Sequence, residues 1–310
     1  MKTAFLFSGQ GAQYVGMGQE LFQAEAVVRQ TFEEASDALG YDVAKLCFEE
    51  NPQLNQTEYT QPAILTVSVA FLRVLQAKKY PYVAVAGLSL GEYSALIASG
   101  ALSFTDGIRL IAKRGKYMAN AAPAGVGKMV AVMNTPVELI EESCQEASEV
   151  GIVSPANYNT PQQIVIGGEV AAVDRAVEIL AAKGAKRMIP LNVSGPFHTA
   201  LLQPAAEQLR EALAEIYFSE MQVPVISNTT AKIMQPAEIK NLLEQQVMSP
   251  VRFFESIATL RELGVDTMVE IGPGKTLSGF IRKIDKSIAI SRVEDLATLA
   301  ETEVLLNRGT

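Results

Sequence analysis

Histidine is nearly absent. The 310 residues contain one, His198, so any mechanism that needs an imidazole must use it. Cysteine is almost as scarce. Cys47 and Cys144 stand far apart, with no CxxC pair and no histidine cluster beside them. That excludes a disulfide framework and a structural zinc site, and no metal is expected. Buried, reduced thiols of a cytoplasmic protein are the expectation. Charged residues make up 19 % and the net charge is −8. Neither nucleic acid nor an anionic membrane is therefore expected as a partner over the whole surface. No apolar run reaches the ~18 residues of a membrane span. The opening "MKTAFLFSGQGAQ" has too short an apolar stretch for a signal peptide and reads as a first β-strand. What is plentiful is apolar residue, 48 % of a chain long enough for two domains or one large domain with an insertion.

Along the chain, apolar strands alternate with helical periodicity. Strands are expected at 3–8, 82–87, 223–228 and 267–272, and helices over 12–40, from 60, at 92–99, at 103–121, at 200–216, at 236–247 and at 254–264. Pro62 suits the first turn of the second helix. The tail from about 295 reads as a surface helix that frays. Between 125 and 192 the order changes to βαββαβ, the pattern of a split-βαβ, ferredoxin-like unit. The expected fold is α/β: a hydrolase-like, mainly parallel sheet with helices on both faces, built from 1–124 and 193–310, with a small subdomain inserted at 125–192.

"VAGLSLGEYSAL", residues 85–96, places Ser89 between Gly87 and Gly91. A lone GxSxG is weak, with about 0.1 chance matches in a chain of this length. Here, however, it directly follows an apolar strand and directly precedes a helix, the setting of a nucleophile elbow. In that turn a Cβ at 87 or 91 would crowd the neighbouring backbone, and the first N–H groups of the helix face a developing oxyanion. The competing reading is a Gly-Ser turn that caps a helix. His198, in "SGPFHTALL", lies in the loop 194–196 region at the junction after the insertion. It is the only imidazole available to take a serine proton. No carboxylate adjoins it in sequence, so the third member of a triad is not visible.

Taken in order, "FLFSGQGAQ", "GLSLGEYSAL", "RGKYM", "GPFHTALL" and "EIGPGKTLSG" resemble the malonyl-CoA:acyl carrier protein transacylases, the acyltransferase family of fatty acid and polyketide synthesis. The resemblance runs from residue 4 to about 285. It implies Ser89 as nucleophile, His198 as base and Gln246 as the residue whose main-chain carbonyl steadies the histidine. It implies an oxyanion hole from the backbone N–H groups of Gln10 and Leu90, with Arg114 pairing the malonyl carboxylate. It also places Gln61 near the pocket, and gives Phe197 the position of a bulky ring in malonyl-selective relatives. No cofactor is implied; the substrates are malonyl-CoA and phosphopantetheinylated acyl carrier protein, which is the expected partner. A monomer is expected. Two positions depart from the family pattern: Leu88, where many members have histidine, and Ala119, where glutamine is common.

The residues agree on Arg114 only conditionally. A mid-helix arginine is usually a snorkelling surface residue, unless its helix lines the cleft and its fork holds a carboxylate. The turn 272–276, GPGKT, ends like a phosphate loop, but its first glycine would fall at Val269 inside a strand, so nucleotide binding is rejected. Lys113, Lys116, Lys186, Arg187, Arg282 and Lys283 are candidate basic residues for an entrance that receives two anionic substrates. Two other readings compete: a thioesterase or esterase with the same Ser-His pair, and a silent module that only binds carrier protein.

Overall fold

The computed structural model describes residues 1–193 and 195–309. Ser194, in the expected loop before His198, lies outside them. The elements run β1 (Thr3–Phe7), α1 (Gln19–Ala24), α2 (Ala26–Leu39), α3 (Val43–Phe48), α4 (Thr57–Ala77), β2 (Ala84–Gly87), α5 (Gly91–Ala98) and α6 (Phe104–Ala121). Next come β3 (Gly127–Met133), α7 (Val137–Ala147), β4 (Val153–Thr160), β5 (Gln163–Glu169), α8 (Val170–Ala182) and β6 (Arg187–Pro190). The chain finishes with α9 (Gln203–Ala214), α10 (Ile239–Gln246), α11 (Phe253–Glu262), β7 (Thr267–Ile271), α12 (Thr276–Ile284), β8 (Ala289–Val293) and α13 (Leu296–Asn307).

Two sheets result. The first is parallel, in the order β2-β1-β7-β8. Side chains alternate across a strand, so each strand feeds two cores. Phe5, Phe7, Val85, Val269 and Ile271 face one, packed under α2, α4 and α6. Ala4, Leu6, Ala84, Ala86 and Met268 face the other, covered by Phe253, Ile257 and Leu260 of α11 and Leu277 and Ile281 of α12. Helices thus flank both faces, as the βα alternation predicts. The second sheet is antiparallel, β4-β5-β3-β6, with its own core under α7 and α8. Backbone bonds tie it to the rest: Tyr158 N–H donates to Val251 C=O at 2.8 Å, and Val251 N–H to Ala156 C=O at 2.9 Å. Cys47 and Cys144 are free thiols buried in separate cores. Among the described residues no helix is long and apolar enough to cross a membrane.

Several expectations needed correction. The helical stretch 12–40 is a turn followed by α1 and α2, broken where Glu25 turns extended at φ −122°. The second helix begins at Thr57, which leaves Pro62 inside it rather than in its first turn. The segment 223–228 makes only a parallel bridge, Val225 to Val85, and an antiparallel one, Ile226 to Ile233. Pro224 has no N–H to extend the ladder. The C-terminal helix starts under an Asp295 cap and buries Thr298, Leu299, Thr302 and Leu306 along one side. Elements α3, α12 and β8 were not anticipated.

Candidate active site

Ser89 stands at the carboxyl end of β2, where the chain turns sharply into α5. Its φ is 57°, left-handed backbone that a serine adopts only under constraint. Both flanking glycines are required by space. A Cβ on Gly87 would lie 2.1 Å from the carbonyl of Gly91, and one on Gly91 would lie 2.3 Å from the Phe7 carbonyl oxygen. Two amides hold the strained residue. Ser89 N–H donates to Asn228 Oδ1 at 2.7 Å, and Gln246 Nε2 donates to Ser89 C=O at 2.9 Å.

His198 Nε2 lies 2.9 Å from Ser89 Oγ, and its Nδ1 lies 2.7 Å from the main-chain carbonyl of Gln246. A carbonyl only accepts, so Nδ1 carries the proton and Nε2 presents its lone pair to the serine hydroxyl. Gln246 is the last residue of α10, and the His198 N–H also donates to Val247 C=O at 3.0 Å. The histidine therefore docks on carbonyls at a helix C-terminus, where Gln246 C=O otherwise accepts only a long bond, 3.4 Å, from Ser249 N–H. Their negative end favours the imidazolium formed when Nε2 takes a proton. Burial, with Arg114 close by, lowers the His198 pKa to about 4, against the pull of the Gln246 hydrogen bond.

Arg114 is no surface residue: it is 0 % exposed. Nη2 donates to Ser89 Oγ at 3.0 Å and to Gln246 Oε1 at 2.9 Å, and Nη1 to Gln61 Oε1 at 2.7 Å. Its carbon centre lies 5.4 Å from the Tyr93 ring centroid, and Nε has no partner among the described residues. Every direct partner of this cation is neutral. Gln61 Nε2 reaches on to Gln10 Oε1 at 3.4 Å and Met118 Sδ at 3.5 Å.

Above this buried layer opens a cleft of about 840 Å³ between the two sheets. Gln10, Ser89, Phe197 and His198 line it, while Arg114, Gln61, Gln246 and Leu90 are fully buried and do not. The N–H groups of Gln10 and Leu90 have no protein acceptor among the described residues. Leu88, half-buried, also lines the cleft; Ala119 does not. The six candidate entrance cations are all exposed, and none lines the cleft. In the GPGKT turn, Gly274 N–H donates to Glu294 Oε2 at 2.7 Å, and the first N–H groups of α12 go to Glu270. Carboxylates occupy the donors a phosphate would need.

Sequence reasoning missed three groups. Glu92, in the first turn of α5, accepts from Asn228 N–H at 2.8 Å and from Gln246 Nε2. Asn228 ends the 223–228 segment, at the carboxyl edge of a parallel sheet where site residues collect; that position was the available signal. Asn157 and Asn159 sit two apart on β4 and turn one face to the cleft, beside Gln163. Asn159 is 6 % exposed, donates Nδ2 to Gln163 Oε1 at 3.1 Å and leaves Oδ1 unpaired.

The sequence matches the family described as acyl transferase domain over residues 4–302. It is 45 % identical over 307 residues to the malonyl CoA-acyl carrier protein transacylase of Bacillus subtilis, covering 97 % of each chain. The crystal structure of MCAT from Streptococcus pneumoniae superposes with a TM-score of 0.96 at 59 % identity, over 99 % of this chain and 100 % of that one. A malonyl-transacylase solved in complex with a type II PKS acyl-carrier protein superposes with a TM-score of 0.94 at 44 % identity, over 97 % of this chain and 98 % of that one. The chain belongs to the acyl transferase domain family, among the malonyl CoA-acyl carrier protein transacylases.

Proposed function

We propose that this chain moves the malonyl group of malonyl-CoA onto the phosphopantetheine thiol of acyl carrier protein through a malonyl-Ser89 ester, supplying fatty acid synthesis in the cytoplasm. One observation carries the reading. Ser89 Oγ lies between the Nε2 of a proton acceptor, His198, and the Nη2 of a buried cation, Arg114. Ser89 Oγ gives its proton to Nε2 and bonds to the thioester carbon. The oxyanion is received by the free N–H groups of Gln10 and Leu90. The C–S bond breaks and coenzyme A leaves with the proton from Nε2. The carrier thiol then passes its proton to Nε2 and attacks the ester, and Ser89 Oγ recovers the proton as it departs. The residues required are all in the chain, and no metal or redox cofactor enters any step.

Arg114 supplies the preference for malonyl. Surrounded by neutral acceptors, it meets an acyl carboxylate as its first charged partner, whereas acetyl leaves the guanidinium as it was. The Phe197 ring, on the cleft wall beside His198, narrows the space for an α-methyl branch. On this reading the chain divides into a large unit, 1–124 with 193–310, and a small one, 125–192; that residues of both ranges, such as Ser89 and Asn159, line the cleft supports it.

A thioesterase would use the same Ser-His pair with water as acceptor. Intact-protein mass after malonyl-CoA, then after reduced acyl carrier protein, separates the two. The transferase gives a malonyl adduct that Ser89→Ala abolishes and the carrier discharges. Loss of the adduct to water at one rate, with or without carrier, overturns the proposal.

A further inference from the structure

Glu92 is 0 % exposed, three residues after Ser89, and has no role in the steps above. Its two oxygens are divided between two residues. Oε1 accepts Asn228 N–H at 2.8 Å and Oε2 accepts Gln246 Nε2. Each of those residues then holds the Ser89 backbone. Asn228 Oδ1 takes the Ser89 N–H at 2.7 Å while its Nδ2 donates to Gly87 C=O at 2.6 Å. Gln246 Nε2 donates to Ser89 C=O at 2.9 Å. The same Gln246 amide turns its Oε1 to Arg114 Nη2 at 2.9 Å.

We propose that Glu92 is a positioning residue for the nucleophile: one buried carboxylate anchors Asn228 and Gln246, the two amides that hold Ser89 in its left-handed turn, and balances the charge of Arg114 through Gln246. An amide can face either way, but here a cation meets its oxygen and an anion meets its nitrogen, so one orientation is selected. Burial pushes the Glu92 pKa up to about 8, while the N–H donors of Asn228 and Gln246 and the charge of Arg114 pull it down. Both oxygens face donors, and it is these bonds and that cation that favour the anion. A buried cation with only neutral direct partners needs a counter-charge nearby. Positive φ at a serine persists only where its surroundings over-determine it, and these bonds do so.

The proposal rests on Ser89 acting as the nucleophile, so the test reads Ser89 reactivity with and without malonyl chemistry. Full-length wild type, Glu92→Gln and Asn228→Ala are treated with an uncharged fluorophosphonate, and labelling of Ser89 is followed by intact mass. Malonyl transfer is then measured as kcat and KM. Glu92→Gln keeps one acceptor but turns an NH₂ towards a donor. It is expected to be labelled about 10- to 100-fold more slowly, with kcat falling by a similar factor and KM moving less than about threefold. Asn228→Ala, which leaves the Glu92 charge and its Gln246 bond in place, is expected to lose about 3- to 10-fold in labelling. If Glu92→Gln does not fold, Asn228→Ala carries the test. Folded Glu92→Gln labelled at the wild-type rate, or a change confined to KM, overturns the proposal, as does wild-type labelling of Asn228→Ala. Should wild type take the fluorophosphonate but no malonyl group, the transferase reading fails while the positioning role is still decided by the labelling rates.

Discussion

Ser89 and His198 meet at 2.9 Å with both backbones in the left-handed region, φ 57° and 63°. Each residue is pressed into an uncommon conformation so that one side chain faces the other. The reacting pair is thus built by the turns around it and does not depend on a flexible side chain finding its partner.

The first prediction follows from the base. His198 is neutral down to a pKa of about 4, so single-turnover acylation with malonyl-CoA should be nearly flat from pH 7 to 5 and fall as pH drops through about 4. A rate profile that breaks near 6.5 would contradict this.

The same group links pH to stability. Histidine in the unfolded chain titrates near 6.5, above its folded value of about 4. Between those values the unfolded chain binds more protons, so the contribution is fully present above 6.5 and is lost as pH falls to about 4. The loss is on the order of 3 kcal/mol. Urea unfolding at pH 7 and pH 4.5 should show a smaller pH dependence in His198→Gln than in wild type.

Arg114→Lys should separate the acyl donors. Lysine keeps the charge but cannot bond Gln61, Gln246 and a carboxylate from one planar group. Acylation by malonyl-CoA is expected to fall about 100-fold and acylation by acetyl-CoA by much less. Equal losses for both donors would assign Arg114 to Ser89 alone.

Asn159 tests the far wall of the cleft. Its Oδ1 is buried without a partner on a residue that lines the cleft, and a pantetheine arm carries N–H groups that could supply one. Asn159→Ala should raise KM for malonyl-CoA by about 3- to 10-fold and leave kcat nearly unchanged.

Gly91→Ala tests the elbow as architecture. Its new Cβ would lie 2.3 Å from the Phe7 carbonyl oxygen, which belongs to β1 and cannot swing aside. A loss of about 3 kcal/mol in chemical denaturation is expected, with loss of Ser89 labelling in whatever remains folded.

Much of this molecule was legible in the sequence, for reasons that differ from residue to residue. The elbow was readable because GLSLG sits between a β-branched run and a helix, so local chemistry alone places Ser89. His198 was readable because it had no competitor. The βαββαβ insertion was readable because each element carries its own apolar period. Short, half-buried elements such as α3 and β8 carry little period and were missed. The extent of 223–228 was misjudged because its composition suits a strand while Pro224 stops the ladder. Gln246, Gln61 and the free N–H groups of Gln10 and Leu90 came from family resemblance: main-chain carbonyls and N–H groups have no residue type to recognise. Glu92 and Asn228 were missed for another reason, although the place of Asn228 at the carboxyl edge of the sheet was a signal. Their significance lies in contacts between segments more than a hundred residues apart, which no local pattern reports.

The acceptor for His198 Nδ1 is a main-chain oxygen at the end of α10. In a triad with a carboxylate, one codon change removes the group that orients the imidazole. Here every amino acid at 246 still brings a carbonyl, and the helix holds it in place. The orienting function is therefore insulated from mutation at its own position, while the side chain of 246 remains free to serve Ser89, Arg114 and Glu92. What could disturb the histidine is a change in where α10 ends, so Val247 and the segment that follows govern the proton path more than the identity of residue 246 does.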